Sequence, residues 1–343
     1  MPKRCRSDGE GGPRSGWRRR HHLHLVLDDW TKGYSIYKVD VADFDGADPG
    51  TDLDSVATAL PGPPVFRLER CHANYSNPWF SPVGSRIAVT YNEEEEDAPV
   101  LLYHTTTGGL AVGPRAPAEA RFVGTFIPNA ALDKLYMMGT NKFHRGDDHF
   151  VVLAEEEGRW AWSPVRTPPF RTSKVTCHAA HPDGRTIFFS VYGGGTYSFD
   201  TETQEWRRHG DWMLPFEGRV YYDAQLDAWV GLNNTCDGTE KGGVRSCDVV
   251  PLTGEGPPVW MTVREKMVCE DWERTNKVAL THMGHGKFCL VEQRFRKGVD
   301  AAVGDNVYLF YVTTFKLRYD KDGGLRATAR RTRCYTMPIE STG

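Results

Sequence analysis

The residues best suited to chemistry are Cys177, His178 and His181, which stand as Cys-His-x-x-His, together with His282 and His285. Thiolate and imidazole hold zinc or copper when they converge. The spacing argues against convergence here. Successive residues of a strand point to opposite faces, so Cys177 and His178 diverge unless a turn intervenes, and His181 falls at a Pro-Asp-Gly turn. Satisfied or solvent-facing imidazoles are the plainer reading, and no metal is expected. The sequence also has no Gly-x-Ser-x-Gly elbow, no phosphate-binding glycine loop with a lysine and no His-Glu-x-x-His helix. No catalytic residue and no cofactor is assigned.

Charge is the next chemical signal. The net charge is −3, yet residues 1–20 carry seven Lys or Arg against two acids, leaving 35 basic and 43 acidic residues for the rest. Lys3, Arg4 and Arg6, then Arg18, Arg19 and Arg20, are separated by eleven residues, the pattern of a two-part nuclear import signal. A merely solvated leader is the plain alternative. The acidic body gives no electrostatic reason to bind nucleic acid, whose phosphates demand a concentrated basic face. Glu93 to Asp97 is an acidic run read as a solvated hairpin loop, with attraction of a basic partner as the sharper reading. Apolar runs are too short to cross a membrane, and the N-terminus lacks the apolar stretch of a secretion signal. The protein is therefore expected in the cytoplasm or nucleus. Its eight cysteines contain no CxxC pair and are read as free, buried thiols.

The elements that position these residues repeat. Phe150 to Trp160 aligns without gaps to Thr196 to Trp206, an offset of 46, and each Trp is followed by a Pro-Phe pair ending at Phe170 or Phe216. Ser81 to Ile87 matches His181 to Ile187 at an offset of 100, or two periods. Turn-forming pieces recur near Val83, Asp133, Asp183, Asp227 and His285, between apolar runs of strand length. The hairpin of residues 23–27 and 34–39 adds one unit ahead of them, which makes six. A period near 50 residues with about four strands predicts an all-β fold, a single β-propeller of about six four-stranded blades, because one blade cannot bury its own apolar face. Residues 22–338 form that propeller, between a disordered basic tail at 1–21 and a short tail at 339–343. Asp40 to Pro64 and Asn233 to Pro258 read as long inter-strand loops, and Arg326, Arg330, Arg331 and Arg333 as charges that blunt an outer edge.

Gly193, Gly194, Tyr197, Asp200 and Trp206 resemble the kelch repeat, in which a glycine pair precedes an aromatic-Asp step and a Trp. Trp160 repeats the second half of the pattern. In that repeat the glycines allow close backbone approach and the Trp fills the space between blades, so Trp160, Phe170, Gly193, Gly194, Tyr197, Asp200, Trp206 and Phe216 are expected to serve packing. Asp28-Asp29-Trp30 with Gly33-Tyr34, His209 to Phe216 and Leu226 to Gly231 look like a family of uncharacterised plant proteins expanded in grasses, with propeller repeats of the kelch and F-box-associated kind. The resemblance spans residues 22 to 338 and implies no activity. The expected function is a protein-interaction propeller, an adaptor or substrate receptor, acting as a monomer on a protein partner whose identity the sequence does not give. The alternative is an enzyme or small-molecule binder with its site in the central channel.

Overall fold

Short runs rich in β-branched and aromatic residues, punctuated by tight turns, make strands throughout the described residues. The structure is a computed structural model that describes residues 22–28, 33–41, 44, 52–69, 78–91, 99–115, 117, 123–129, 133–140, 148–233, 243–254, 256–268, 274–296 and 308–336. No α-helix occurs among them; Thr172–Lys174 forms a short 3-10 turn.

Hydrogen bonding groups the strands into consecutive meanders. The first sheet holds His22–Asp28, Gly33–Asp40 and Phe66–Glu69. The second holds Trp79–Val83, Arg86–Thr90, Pro99–His104 and Leu110–Arg115, and the third Val123–Asn129, Lys134–Thr140, Asp148–Glu156 and Arg159–Pro164. Val175–Ala180, Thr186–Val191, Gly195–Asp200 and Trp206–Gly210 make the fourth. The fifth is Phe216–Asp223, Ala228–Asn233, Val244–Asp248 and Trp260–Thr262; the sixth is Thr275–Gly284, Lys287–Phe295, Tyr308–Tyr319 and Leu325–Thr336. Neighbours within a sheet are antiparallel, whereas the fourth and fifth sheets join through a parallel ladder between their first strands, Cys177 opposite Gly218. First strands are thus the edges that meet round the axis. Last strands lie outside, and Leu110–Arg115 and Arg159–Pro164 are largely exposed. Positive φ at Gly84, Asp133, Gly184, Asp227 and His285 marks the turn between first and second strands of sheets two to six, where the sequence places its turn chemistry.

Closure is visible in the packing. Ile36 of the first sheet packs with Ile87 and Tyr103 of the second, and Leu102 of the second with Leu135 and Leu153 of the third. Phe150 of the third meets Phe189 and Phe199 of the fourth; Phe188 of the fourth meets Trp229 of the fifth; Val230 of the fifth meets Phe288 and Leu317 of the sixth. The circuit ends where it began, with Phe310, Val312 and Tyr335 of the sixth packed on Leu25, Tyr37, Phe44 and Leu60. Among the described residues these inter-sheet cores follow one another in a cycle, which makes a β-propeller, since each sheet buries both faces against different neighbours. Each fully buried Phe, Leu or Val contributes roughly 1.5–3 kcal/mol, so the ring is held by its apolar interfaces.

Three expectations change. Asn233 to Pro258 is not one loop, because Val244–Asp248 is the buried third strand of the fifth sheet; its Gly-rich approach hides a five-residue run. Asp40 to Pro64 contains Thr58–Ala59, which pairs in parallel with Tyr335 and Thr336 of the last strand, and its Phe44 and Leu60 are core. The arginines of that last strand do more than repel. Arg326 binds Glu265 at 2.5 Å, Arg330 donates to the Lys266 carbonyl, Arg331 to the Phe44 carbonyl, and Arg333 lies over the Phe44 ring. They tie neighbouring segments to the outer edge. Cys177, Cys247, Cys289 and Cys334 are free and buried, with burial pushing the Cys177 and Cys289 thiols up to about 12.

Candidate functional site

The first sheet departs from the other five. At one end of the ring, Val26, Leu27 and Asp28, which finish its first strand, meet Trp79 and Phe80 at the start of the second sheet's first strand and Asn276 and Lys277 at the start of the sixth's. The strand therefore runs opposite to the axial strands on either side of it. In direction it matches the second strand of the other sheets, and among the described residues no strand occupies the axial position beside it.

A cavity of about 700 Å³ lies there, walled by Val26, Leu27, Tyr34, Trp79, Phe80 and Phe310, with Asn276, Lys277 and Gln293 among its polar contributors. The Tyr34 and Phe80 rings are 5.2 Å apart, and Trp79 remains 39% exposed. A concave wall of aromatic and aliphatic side chains with a few polar groups suits recognition of an apolar segment.

On the opposite face of the sixth sheet from Phe310, a buried polar cluster holds the segment around Asp54, whose Leu53 and Ala57 pack on Leu309, Tyr311 and Cys334. Asp54 accepts from Arg274 at 2.7 Å and from the Tyr311 hydroxyl, and Arg294 binds Glu292 at 2.5 Å while covering the Tyr311 ring at 3.9 Å. Both carboxylates are satisfied, so the cluster holds geometry rather than offering a reactive group.

The histidines do not converge. Cys177 faces the core between fourth and fifth sheets, while His178 is buried with neither ring nitrogen hydrogen-bonded. His181 sits by the turn near Asp183, and His282 contacts the buried Asp223 at 2.8 Å. Asp223 also accepts the Gly286, Leu226 and Gln225 N–H groups. Burial pushes its pKa up, but the bonds from Gly286, His282 and Leu226 outweigh that and hold it below the ordinary carboxylate range. Its bonds join the turns of the fifth and sixth sheets. Among the described residues no three His, Cys, Asp or Glu side chains gather as metal ligands.

Comparison with known proteins places the sequence. The profile of DUF1668, a protein family of unknown function, matches residues 20–335. The chain belongs to the DUF1668 family. No curated protein matches it. Kluyveromyces lactis Hsv2 with its loop 6CD replaced by a Gly-Ser linker is similar at 11% identity over 92% of this chain and 83% of that one, TM-score 0.42. A complex of KlAtg21 with the coiled coil of AgAtg16 gives 11% identity, 91% and 96% coverage and TM-score 0.43. A Bacteroides thetaiotaomicron protein of unknown function gives 13% identity and TM-score 0.37; 73% of this chain matches only 57% of that one.

Within this DUF1668 chain the repeat residues lie between sheets. Trp160 packs toward the core of the second and third sheets; Phe170 and Trp206 pack at that of the third and fourth, their rings 5.2 Å apart; Phe216 is buried at that of the fourth and fifth. Tyr197 stacks near Phe170 at 4.8 Å, and Asp200 caps the following turn by accepting the Glu202 and Thr203 N–H groups. Gly193 supplies a left-handed turn with open space around it, whereas the close backbone approach falls at Gly195, where a Cβ would lie 2.0 Å from the Gly210 carbonyl oxygen. Lys3, Arg4, Arg6, Arg18, Arg19, Arg20 and the acidic run lie outside the described residues. Sequence reasoning did not single out Trp79, Phe80, Tyr308 or Phe310; their one local signal is aromatic residues at strand starts, and only closure of the ring gathers them.

Proposed function

We propose that this DUF1668 chain is a six-bladed interaction propeller that binds a protein partner at the ring end where first, second and sixth sheets leave the aromatic cavity. That cavity is the single observation that carries the reading: Trp79, Phe80, Tyr34 and Phe310 present the residue types that dominate interface energetics, on a frame anchored by the Asp54–Arg274 contact. An adaptor or substrate-receptor role, monomeric and in cytoplasm or nucleus, with residues 3–20 as an import signal, belongs to the same proposal. So does membership of a grass-expanded plant lineage with kelch-like blades. An enzyme or small-molecule site in the channel has the Asp223–His282 pair in its favour, but that carboxylate already serves three backbone N–H groups, which supports a structural role.

The test is photo-crosslinking in cell extract from a benzoylphenylalanine placed at Tyr192, an exposed residue of the fourth sheet, and at Trp79. Adducts with one protein from position 79 and none from position 192 are expected. Equal labelling from both positions, or none from either, would contradict the proposal.

A further inference from the structure

Where the fourth and fifth sheets join, the parallel ladder sets Cys177, His178 and Ala179 opposite Gly218, Arg219 and Val220. Cys177, Ala179 and Val220 enter the core between the two sheets, so the residues that alternate with them, His178 and Arg219, point side by side toward the axis. The fifth sheet's first strand slips register against Ala228–Asn233 between Glu217 and Tyr221. A bulge of that kind, begun here at Gly218 with φ +72, re-aims a side chain. The axial space is open at this level. Gly218 on one axial strand and Ala279 on the next are both exposed, and Tyr221 ties those strands together by donating to the Leu280 carbonyl.

Arg219 is held in place without being neutralised. Its guanidinium lies over the Tyr221 ring at 4.8 Å, which occupies the flat face of the group and leaves its N–H fork free. Among the described residues it makes no ion pair, and the exposed Glu217, two residues earlier, makes none with it. His178 is only 6% exposed, yet neither of its ring nitrogens has a hydrogen-bond partner. Burial, and after it the nearby Arg219 charge, depresses its pKa. One group answers both side chains: an oxyanion that accepts the Arg219 fork and the imidazole N–H. Because Arg219 carries a single charge and the imidazole is neutral, a planar carboxylate balances the pair, whereas a phosphate dianion leaves a charge over.

We infer that Arg219 and His178 form a binding site for a small carboxylate in the axial channel, the two ligand oxygens lying on the Arg219 fork and one of them also accepting from His178. The ligand enters on the side of Arg219, which is partly exposed. The site shares no residue with the aromatic cavity and does not depend on a protein partner. Arg219 supplies the attraction. His178 supplies selection, because a ligand without a well-placed acceptor leaves the imidazole unsatisfied.

The experiment titrates sodium acetate into the full-length chain, with sodium chloride holding the ionic strength constant. Thermal unfolding is followed together with the imidazole resonances of histidine-labelled protein, the His178 signal being the one lost in His178→Leu. Acetate is expected to raise the unfolding midpoint saturably, as a ligand of the folded state does, and to shift the His178 signal with the same half-saturation. Arg219→Gln removes the charged partner and should weaken both effects at least about tenfold. His178→Leu, which keeps similar volume, should weaken the stabilisation by about threefold or more. The Arg219 change is on a partly exposed side chain, so it stands if His178→Leu misfolds. A midpoint that follows ionic strength alone, a His178 signal that acetate leaves in place, or an undiminished response in Arg219→Gln overturns the inference. Inorganic phosphate binding more tightly than acetate would contradict the assignment of the ligand as a carboxylate.

Discussion

His178 shows most clearly how a single side chain constrains this molecule. It is buried on the axial strand of the fourth sheet, opposite Arg219 in the parallel ladder, and its two ring nitrogens make no hydrogen bond. Burial, with a smaller push from Arg219, takes its pKa from 6.5 down to about 3. An unsatisfied buried polar group costs about 1–3 kcal/mol, so His178→Leu, which keeps similar volume, is expected to raise the unfolding midpoint in urea. The sign of the pH dependence follows from the same shift. Below 6.5 the unfolded chain takes up a proton that the folded chain refuses until about 3, so the wild type loses stability as pH falls through that window. Urea titrations from pH 7 to 4 should show the variant losing less than the wild type; parallel curves would mean that His178 is hydrated after all.

Gly195–Asp200 and Trp206–Gly210 pair closely enough that side chains become a liability at one point. Gly195 has φ +92 and almost touches the Gly210 carbonyl, while Gly193, at φ +70, faces open space. Gly193→Ala should cost roughly 1–2 kcal/mol from the left-handed backbone alone. Gly195→Ala adds a backbone collision and should exceed that clearly in thermal unfolding; equal losses would place the close approach elsewhere. This is also where sequence and structure part by one residue, since the glycine pair at 193–194 points to the correct hairpin without saying which glycine meets its neighbour. Turns were legible at Val83, Asp133, Asp183, Asp227 and His285 because turn chemistry is local. The third strand of the fifth sheet was not, because Val244–Asp248 is short and follows a Gly-rich run. Nor was the phase of the first sheet: the hairpin of His22–Asp28 and Gly33–Asp40 looks like any other, and which edge faces the axis depends on sheets some 50 and 250 residues away. The aromatic cavity is non-local for the same reason.

At the scale of the ring, the decisive contact is the one that joins the chain's two ends. Phe44 and Leu60 enter the core of the sixth sheet, Arg331 reaches the Phe44 carbonyl, Asp54 holds Arg274, and Thr58–Ala59 runs parallel to Tyr335 and Thr336. Without this seam the six meanders would be an open array whose end sheets each expose an apolar face. Neighbouring parallel strands lie about 4.8 Å apart, within the span of a disulfide. The most direct test is therefore a cysteine pair, Ala59→Cys with Thr336→Cys, oxidised mildly under native conditions and mapped by mass spectrometry. A closed ring predicts rapid intramolecular linkage of 59 to 336, abolished in denaturant. Failure to link, or linkage only between molecules, would contradict closure and with it the cavity that the seam creates.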